Sequence, residues 1–216
     1  MRRLIPIVLL ALTAACGDRA CGGRGGLPPQ RLPMVKLADG RSFHLLDKGQ
    51  YKALYDTMGQ LAIVQYDSNN DGRADYLAYY EGKQIRVIEV DEDQDSWIDR
   101  WEHYDARGVL EKIGRWRKQK GKADVWRFPG PGGLASRVEY DDDGDGRSER
   151  SETFRDGQLV RIELDSDRDG RMDRWQTWED GRLKSEELDT KGAGTPDRRL
   201  VYGGRGGIAR IERLQP

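Results

Sequence analysis

DSDRDGRMDRWQTWEDGRLKSEEL, residues 165–188, decides the fold. Its opening crowds acids at every second place: Asp165, Asp167, Asp169 and, after Gly170 and Met172, Asp173. The run that follows ends in Trp178, EDG (179–181) is a turn signal, and a second run starts at Leu183 and leads to the next aspartate. Asp-Gly between two short runs is a strong β-hairpin signal. The stretch therefore predicts an acidic loop, a strand, a tight turn and a returning strand.

The pattern recurs along the chain. DSNNDGRAD begins at Asp67, DEDQDSWID at Asp91, DDDGDGRSE at Asp141, DSDRDGRMD at Asp165 and a decayed DTKGAGTPD at Asp189. Starts lie 24 residues apart, except for 50 between Asp91 and Asp141. That gap holds one more decayed copy near Trp116, where KGKADVW (120–126) falls in line with DGRMDRW (169–175). After each loop a run ends in Tyr80, Tyr104, Phe154, Trp178 or Tyr202, a turn follows, and a new run starts at Ile85, Val109, Leu159, Leu183 or Ile208. IRVIEV and LVRIEL alternate with period two, as strands with one buried face do. Upstream, YKALYDTMGQLAIVQY (51–66) and VKLADGRSFHLL (35–46) read as further hairpins. Self-similarity at this period marks a repeat architecture. The expected fold is all-β: an elongated array of stacked antiparallel β-hairpins joined by Asp-rich loops, one cooperative domain over 35–216. Its open edges would be protected by the dense charge.

Composition agrees with a thin fold. The chain has 216 residues, 35% of them charged, with a formal net charge of −1. Mean hydropathy is −0.85, too polar for one thick core, yet six Trp and nine Tyr argue against disorder. Nothing in the charge balance points to nucleic acid as a partner.

The alternating acids have a chemical reading. In D-x-D-x-D-G the side chains at places one, three and five can curl toward one point. Glycine at place six permits the turn, place seven offers a backbone carbonyl, and place nine adds an oxygen. The candidate ligands are Asp67, Asn69, Asp71, Arg73 (carbonyl) and Asp75; Asp91, Asp93, Asp95, Trp97 (carbonyl) and Asp99; Asp141, Asp143, Asp145, Arg147 (carbonyl) and Glu149; and Asp165, Asp167, Asp169, Arg171 (carbonyl) and Asp173. An all-oxygen set of this size suits Ca²⁺, whereas zinc wants His and Cys. A solvated Asp-rich turn is the alternative for any one loop; four loops in register favour calcium.

These loops resemble the calcium loops of EF-hand, dockerin and thrombospondin type 3 proteins. The resemblance implies a further ligand at place twelve, where Glu102 and Glu152 stand; the other two copies have Ala78 and Gln176. Strands replace the EF-hand helices, so the resemblance is to an extracellular structural module and not to a cytosolic sensor. The hairpin half, as in WEDGRL (178–183), resembles MORN-type repeats. In the decayed copies Lys118, Lys120 and Lys191 occupy ligand places. Either an ammonium replaces the ion there, paired with an acid such as Asp124 or Asp197, or the site is simply lost.

The chain opens MRRLIPIVLLALTAAC: two arginines, an apolar run over 4–15 and small residues. That is a signal peptide over 1–15. Thr13-Ala14-Ala15-Cys16 resembles a bacterial lipobox, with Thr13 in place of the usual leucine. The resemblance implies cleavage before Cys16, its lipidation and N-acylation, and a membrane partner through the anchor. Gly17 after the cysteine favours the outer membrane in that family. Ordinary signal-peptidase cleavage, with Cys16 incidental or bridged to Cys21, is the alternative. GGRGGLPPQRLP (22–33) reads as part of a flexible tether over 16–34.

No residues form a catalytic arrangement in the sequence, and His44 and His103, the two histidines, fall in expected strands. The expectation is a non-enzymatic structural protein of the cell envelope, its aromatics packed between hairpins. The alternative is a module that binds an envelope protein or polysaccharide through a stripe of Trp97, Trp101, Trp126, Trp175 and Trp178.

Overall fold

The structure, a computed structural model, describes residues 32–214. The signal peptide, the lipobox with Cys16 and most of the tether lie outside the described residues. Sixteen strands follow in order: β1 Met34–Lys36, β2 Ser42–Lys48, β3 Tyr51–Tyr55, β4 Leu61–Tyr66, β5 Tyr76–Glu81, β6 Gln84–Val90, β7 Arg100–Tyr104 and β8 Leu110–Arg115. They continue with β9 Val125–Pro129, β10 Ala135–Tyr140, β11 Arg150–Arg155, β12 Gln158–Leu164, β13 Arg174–Glu179, β14 Arg182–Leu188, β15 Arg198–Tyr202 and β16 Ile208–Arg213. One 3₁₀ turn, Pro131–Gly133, joins β9 to β10. Each strand pairs antiparallel with the next, so the protein is an open 16-stranded meander of hairpins laid side by side.

Turn chemistry explains the hairpins. At β11–β12 and β13–β14 the two central residues are Asp-Gly and both have positive φ: Asp156 51°, Gly157 76°, Asp180 50° and Gly181 69°. That is the primed turn whose twist matches the flanking strands. A bulge follows each of these turns on the returning strand: Val160 and Lys184 are the extra residues, as pairing steps from Thr153–Arg161 to Phe154–Leu159 and from Thr177–Ser185 to Trp178–Leu183. Equivalent bulges occur opposite Tyr80, Tyr104 and Tyr202. Each adds twist and sets the last aromatic of the first strand opposite the first apolar residue of the second.

A single layer has little to bury. Among the described residues the buried hydrophobic ones are Phe43, Leu54, Ile63, Ala78, Ile88 and Ile162, whereas eleven polar or charged residues are buried. Phe43, Leu54 and Ile63 form one small cluster, with Val35, Leu37, Leu45, Ala62 and Tyr79 against it. Most of the buried polar residues lie in the acidic loops, so the sheet is held together as much along its polar edge as across its faces.

Register places the functional residues. The loops 67–75, 91–99, 116–124, 141–149, 165–173 and 189–197 join β4–β5, β6–β7, β8–β9, β10–β11, β12–β13 and β14–β15. They are alternate connections of a meander, so all lie along one edge together with the β2–β3 turn, and the remaining turns lie opposite. Two strand spacings separate neighbouring loops, about 10 Å.

Candidate metal centres

Each intact loop is wound by its own carboxylates. The place-one aspartate is buried and caps the loop amides: Asp165 accepts from the amides of Arg168 at 2.7 Å and Gly170 at 2.8 Å. Asp67 accepts from Asp71 and Gly72, Asp91 from Gln94, Asp95 and Ser96, and Asp141 from Gly144 and Gly146. Place three accepts from the amide of place five, and place five from that of place seven, as where the Arg147 amide donates to Asp145 at 2.7 Å. The place-nine acid closes the loop by accepting from the amide of place two: Ser68 to Asp75 at 2.7 Å, Glu92 to Asp99 at 2.8 Å and Ser166 to Asp173 at 2.9 Å. Glu149 does the same for Asp142. Gly72, Gly146 and Gly170 stand at place six with φ near 90°; Ser96 replaces glycine there and still adopts φ 75°.

This winding brings acids together. Carboxylate oxygens of Asp141, Asp143, Asp145 and Glu149 lie within 4.8 Å of one another. So do oxygens of Asp91, Asp93 and Asp99, and of Asp165, Asp167 and Asp173. These groups can hold a metal ion. Two oxygens on opposite sides of a cation at ~2.4 Å would be ~4.8 Å apart, so the spacing suits one central ion. In the loop at Asp67, Asn69 supplies an amide instead, and it donates to Asp71 at 3.2 Å.

Crowding has electrostatic consequences. Local desolvation and the charges of Asp99 and Asp95 push the exposed Asp93 carboxyl above its usual range. The Lys120 ammonium bonded to Asp95 pulls that neighbour below it. A buried carboxylate oxygen, Oδ1 of Asp124, has no hydrogen-bond partner among the described residues. The backbone carbonyl of this same residue receives the Asp141 amide at 2.9 Å. Its other carboxylate oxygen accepts the Lys118 amide at 2.7 Å, the same loop closure that the place-nine acids make in the intact copies.

Not every expected ligand converges. Glu102 and Glu152, at place twelve, lie on β7 and β11 outside the convergent groups. Glu102 pairs with Arg100 and accepts from the Tyr104 hydroxyl at 2.6 Å. Glu152 pairs with Arg150 and accepts from the Tyr140 hydroxyl at 3.3 Å. A strand carries place twelve away from the loop, where a helix would bring it back. Asp169 stands outside the Asp165 group as well. Sequence reasoning missed Glu186, only 4% exposed on β14. It accepts from Arg174 at 2.5 Å, Gln176 at 3.0 Å and the Tyr202 hydroxyl at 3.2 Å. The register sets Glu186 opposite Gln176, itself a place-twelve residue, and that alignment was the available signal.

Neighbouring loops also touch. Gln94 donates to the Ser68 hydroxyl at 2.8 Å, and Arg73 to that of Ser96. In the last copy Lys191 lies 3.7 Å from Asp197, as expected. In the copy at 116–124 the lysines do not turn to Asp124; Lys120 pairs with Asp95 and Lys118 with Asp142. The tryptophans do not form one stripe. Trp101 and Trp126 share a face with Gly114 between them, and Trp175 lies further along on that face. Trp178 lies on the other face of the sheet and Trp97 in a loop, 54% exposed. Lys112 lies 4.1 Å over the Trp126 ring and His103 meets it edge-on at 5.1 Å, so that ring is packed within its own sheet.

No family model matches this chain, and no curated protein matches it. Among solved structures, a glycosylation-associated protein (Gap123) complex from Streptococcus agalactiae is 14% identical, with TM-score 0.33, over 64% of this chain and 22% of that one. A mutant of S. aureus TarM in complex with fondaparinux, α-GlcNAc-glycerol and UDP is 8% identical, with TM-score 0.26, over 54% of this chain and 20% of the other. The GtfA/B complex bound to UDP and GlcNAc is 15% identical, with TM-score 0.22, over 93% of this chain and 29% of its own. The chain spans less than a third of each of these proteins.

Proposed function

We propose that this is a calcium-binding, lipid-anchored repeat protein of the cell envelope with a structural role and no enzymatic activity. One observation carries the reading: carboxylate groups of similar geometry recur along a single edge of the sheet, at Asp91, Asp141 and Asp165. The donors are all oxygen, which suits a hard cation that tolerates irregular coordination.

Calcium would neutralise the groups that now repel within each loop. Because the loops touch one another, holding each loop also holds the pitch of the edge. Bound ions would then stiffen the meander as a spacer anchored through Cys16, on the outer membrane, with an envelope protein or polysaccharide as its neighbour. Calorimetric titration of the full chain tests the metal half. Heat from calcium that magnesium does not reproduce is expected, and silence with calcium would remove the reading. Metabolic labelling with palmitate tests the anchor: label is expected on the native chain and lost in Cys16→Ser.

A further inference from the structure

The copy at 116–124 has Trp116, Lys118 and Lys120 at the places where intact copies carry acids. Its basic side chains cross to the loops on either side. Toward the later loop, Lys118 Nζ lies 3.1 Å from Oδ1 of Asp142, and Lys122 donates to the Gly144 carbonyl. These are places two and four of that loop, outside its ligand set. Asp141, Asp143, Asp145 and Glu149 still converge there.

Toward the earlier loop the contacts fall on ligand places. Lys120 pairs with Asp95 at place five, and Trp116 Nε1 donates to Oδ1 of Asp99 at place nine, at 2.8 Å. The convergent group in this loop is Asp91, Asp93 and Asp99, without Asp95. The loop at Asp165 also lacks its fifth place, but there Asp169 accepts only from the Arg171 amide, at 2.9 Å, and has no ion pair among the described residues.

We propose that Lys120 is a built-in counter-ion of the 91–99 loop that competes with a divalent cation for Asp95, so that the sites along the edge fill in order, 141–149 first and 91–99 last. This rests on the preceding reading of the loops as calcium sites. A cation entering the 91–99 loop must part the ammonium from Asp95 and share the field of Asp93 and Asp99 with it. When calcium is scarce, the same ion pair straps this loop to the next one. The decayed copy thus tunes its neighbour.

The test is calcium titration of the full chain and of Lys120→Met, followed by calorimetry. Tb³⁺ emission sensitised by tryptophan gives a local readout, because Trp97 and Trp116 border this loop. Lys184→Met is the control, since Lys184 pairs with Glu179 at 3.0 Å on the opposite edge. Lys120→Met is expected to tighten the weakest class of sites by about two- to fivefold, the range of an exposed ion pair. The sensitised Tb³⁺ phase should move to lower concentration by a similar factor, with Lys184→Met unchanged. If the native chain binds calcium and Lys120→Met gives the same curve, or Lys184→Met shifts it equally, the counter-ion role is overturned and the calcium sites stand. If no form binds calcium, the calcium reading falls and takes this inference with it.

Discussion

Gly114 is the strand residue whose replacement the structure judges most sharply. It lies on β8 opposite Trp126, with Trp101 on its other side. A Cβ there would stand 2.7, 2.9 and 3.0 Å from three carbons of the Trp126 ring. Two effects oppose each other in Gly114→Ala. Alanine loses less backbone entropy on entering a strand, a gain of roughly 0.5–1 kcal/mol. Against that, the indole must move by several tenths of an ångström, away from Lys112 at 4.1 Å and His103 at 5.1 Å. Overpacking of this kind costs roughly 1–3 kcal/mol. The ring is half-buried and has room to yield, so the net effect is a loss of about 1 kcal/mol. For a sheet of this length that lowers the thermal midpoint by about 2–4 °C. Urea unfolding at fixed calcium, followed by tryptophan emission and far-UV circular dichroism, measures it. An unchanged or raised midpoint, with unaltered emission, would refute the placement of Trp126 over this glycine.

Other outcomes follow from the polar interior. Glu186→Ala removes the shared acceptor of Arg174, Gln176 and Tyr202, and should cost about 1–3 kcal/mol in chemical denaturation. Burial opposes the charge on Glu186, but the hydrogen bonds from Gln176 and Arg174 outweigh it and hold its carboxyl below the usual range. Its contribution is therefore complete above the unfolded pKa of about 4.3 and is lost as pH falls through the lower folded value. The native chain should lose stability on acidification below about pH 4.3, with a shallower loss in Glu186→Gln. Asp165→Asn removes the charge and leaves one oxygen where two accept, from the amides of Arg168 and Gly170, so one loop amide loses its acceptor. In chelator its midpoint should fall somewhat below that of the native chain, and in calcium the gap should widen; a gap of the same size in both would deny Asp165 a ligand role.

Much of this architecture was legible because the repeat is written in turn residues. Asp156-Gly157 and Asp180-Gly181 announce their hairpins, and each acidic loop announces the next crossing. The decayed copy at Trp116 was found by alignment alone, and β8 and β9 flank it as the alignment requires. What escaped was side-chain direction across strands. Trp175 and Trp178 stand three apart in one strand, so period-two alternation alone puts them on opposite faces, whereas the common face of Trp101, Gly114 and Trp126 depends on a cross-strand register that no local composition reports. The partner of Lys120 was illegible for a related reason. Asp95 lies 25 residues back, and only the placement of successive loops along one edge brings it within reach. Glu102 and Glu152 were assigned on an EF-hand spacing that presumes a helix; a strand of the same length takes them elsewhere.

Thermal unfolding of the full chain in chelator, in 1 mM calcium and in 1 mM magnesium tests the central claim most directly. If the three carboxylate groups bind calcium near ~10⁻⁴ M, each adds about 1.4 kcal/mol at that concentration, and the midpoint rises by roughly 10 °C. Magnesium, which demands stricter octahedral geometry, should do much less. A midpoint that is the same in chelator and in calcium would contradict the account and leave the acids as turn-forming residues alone.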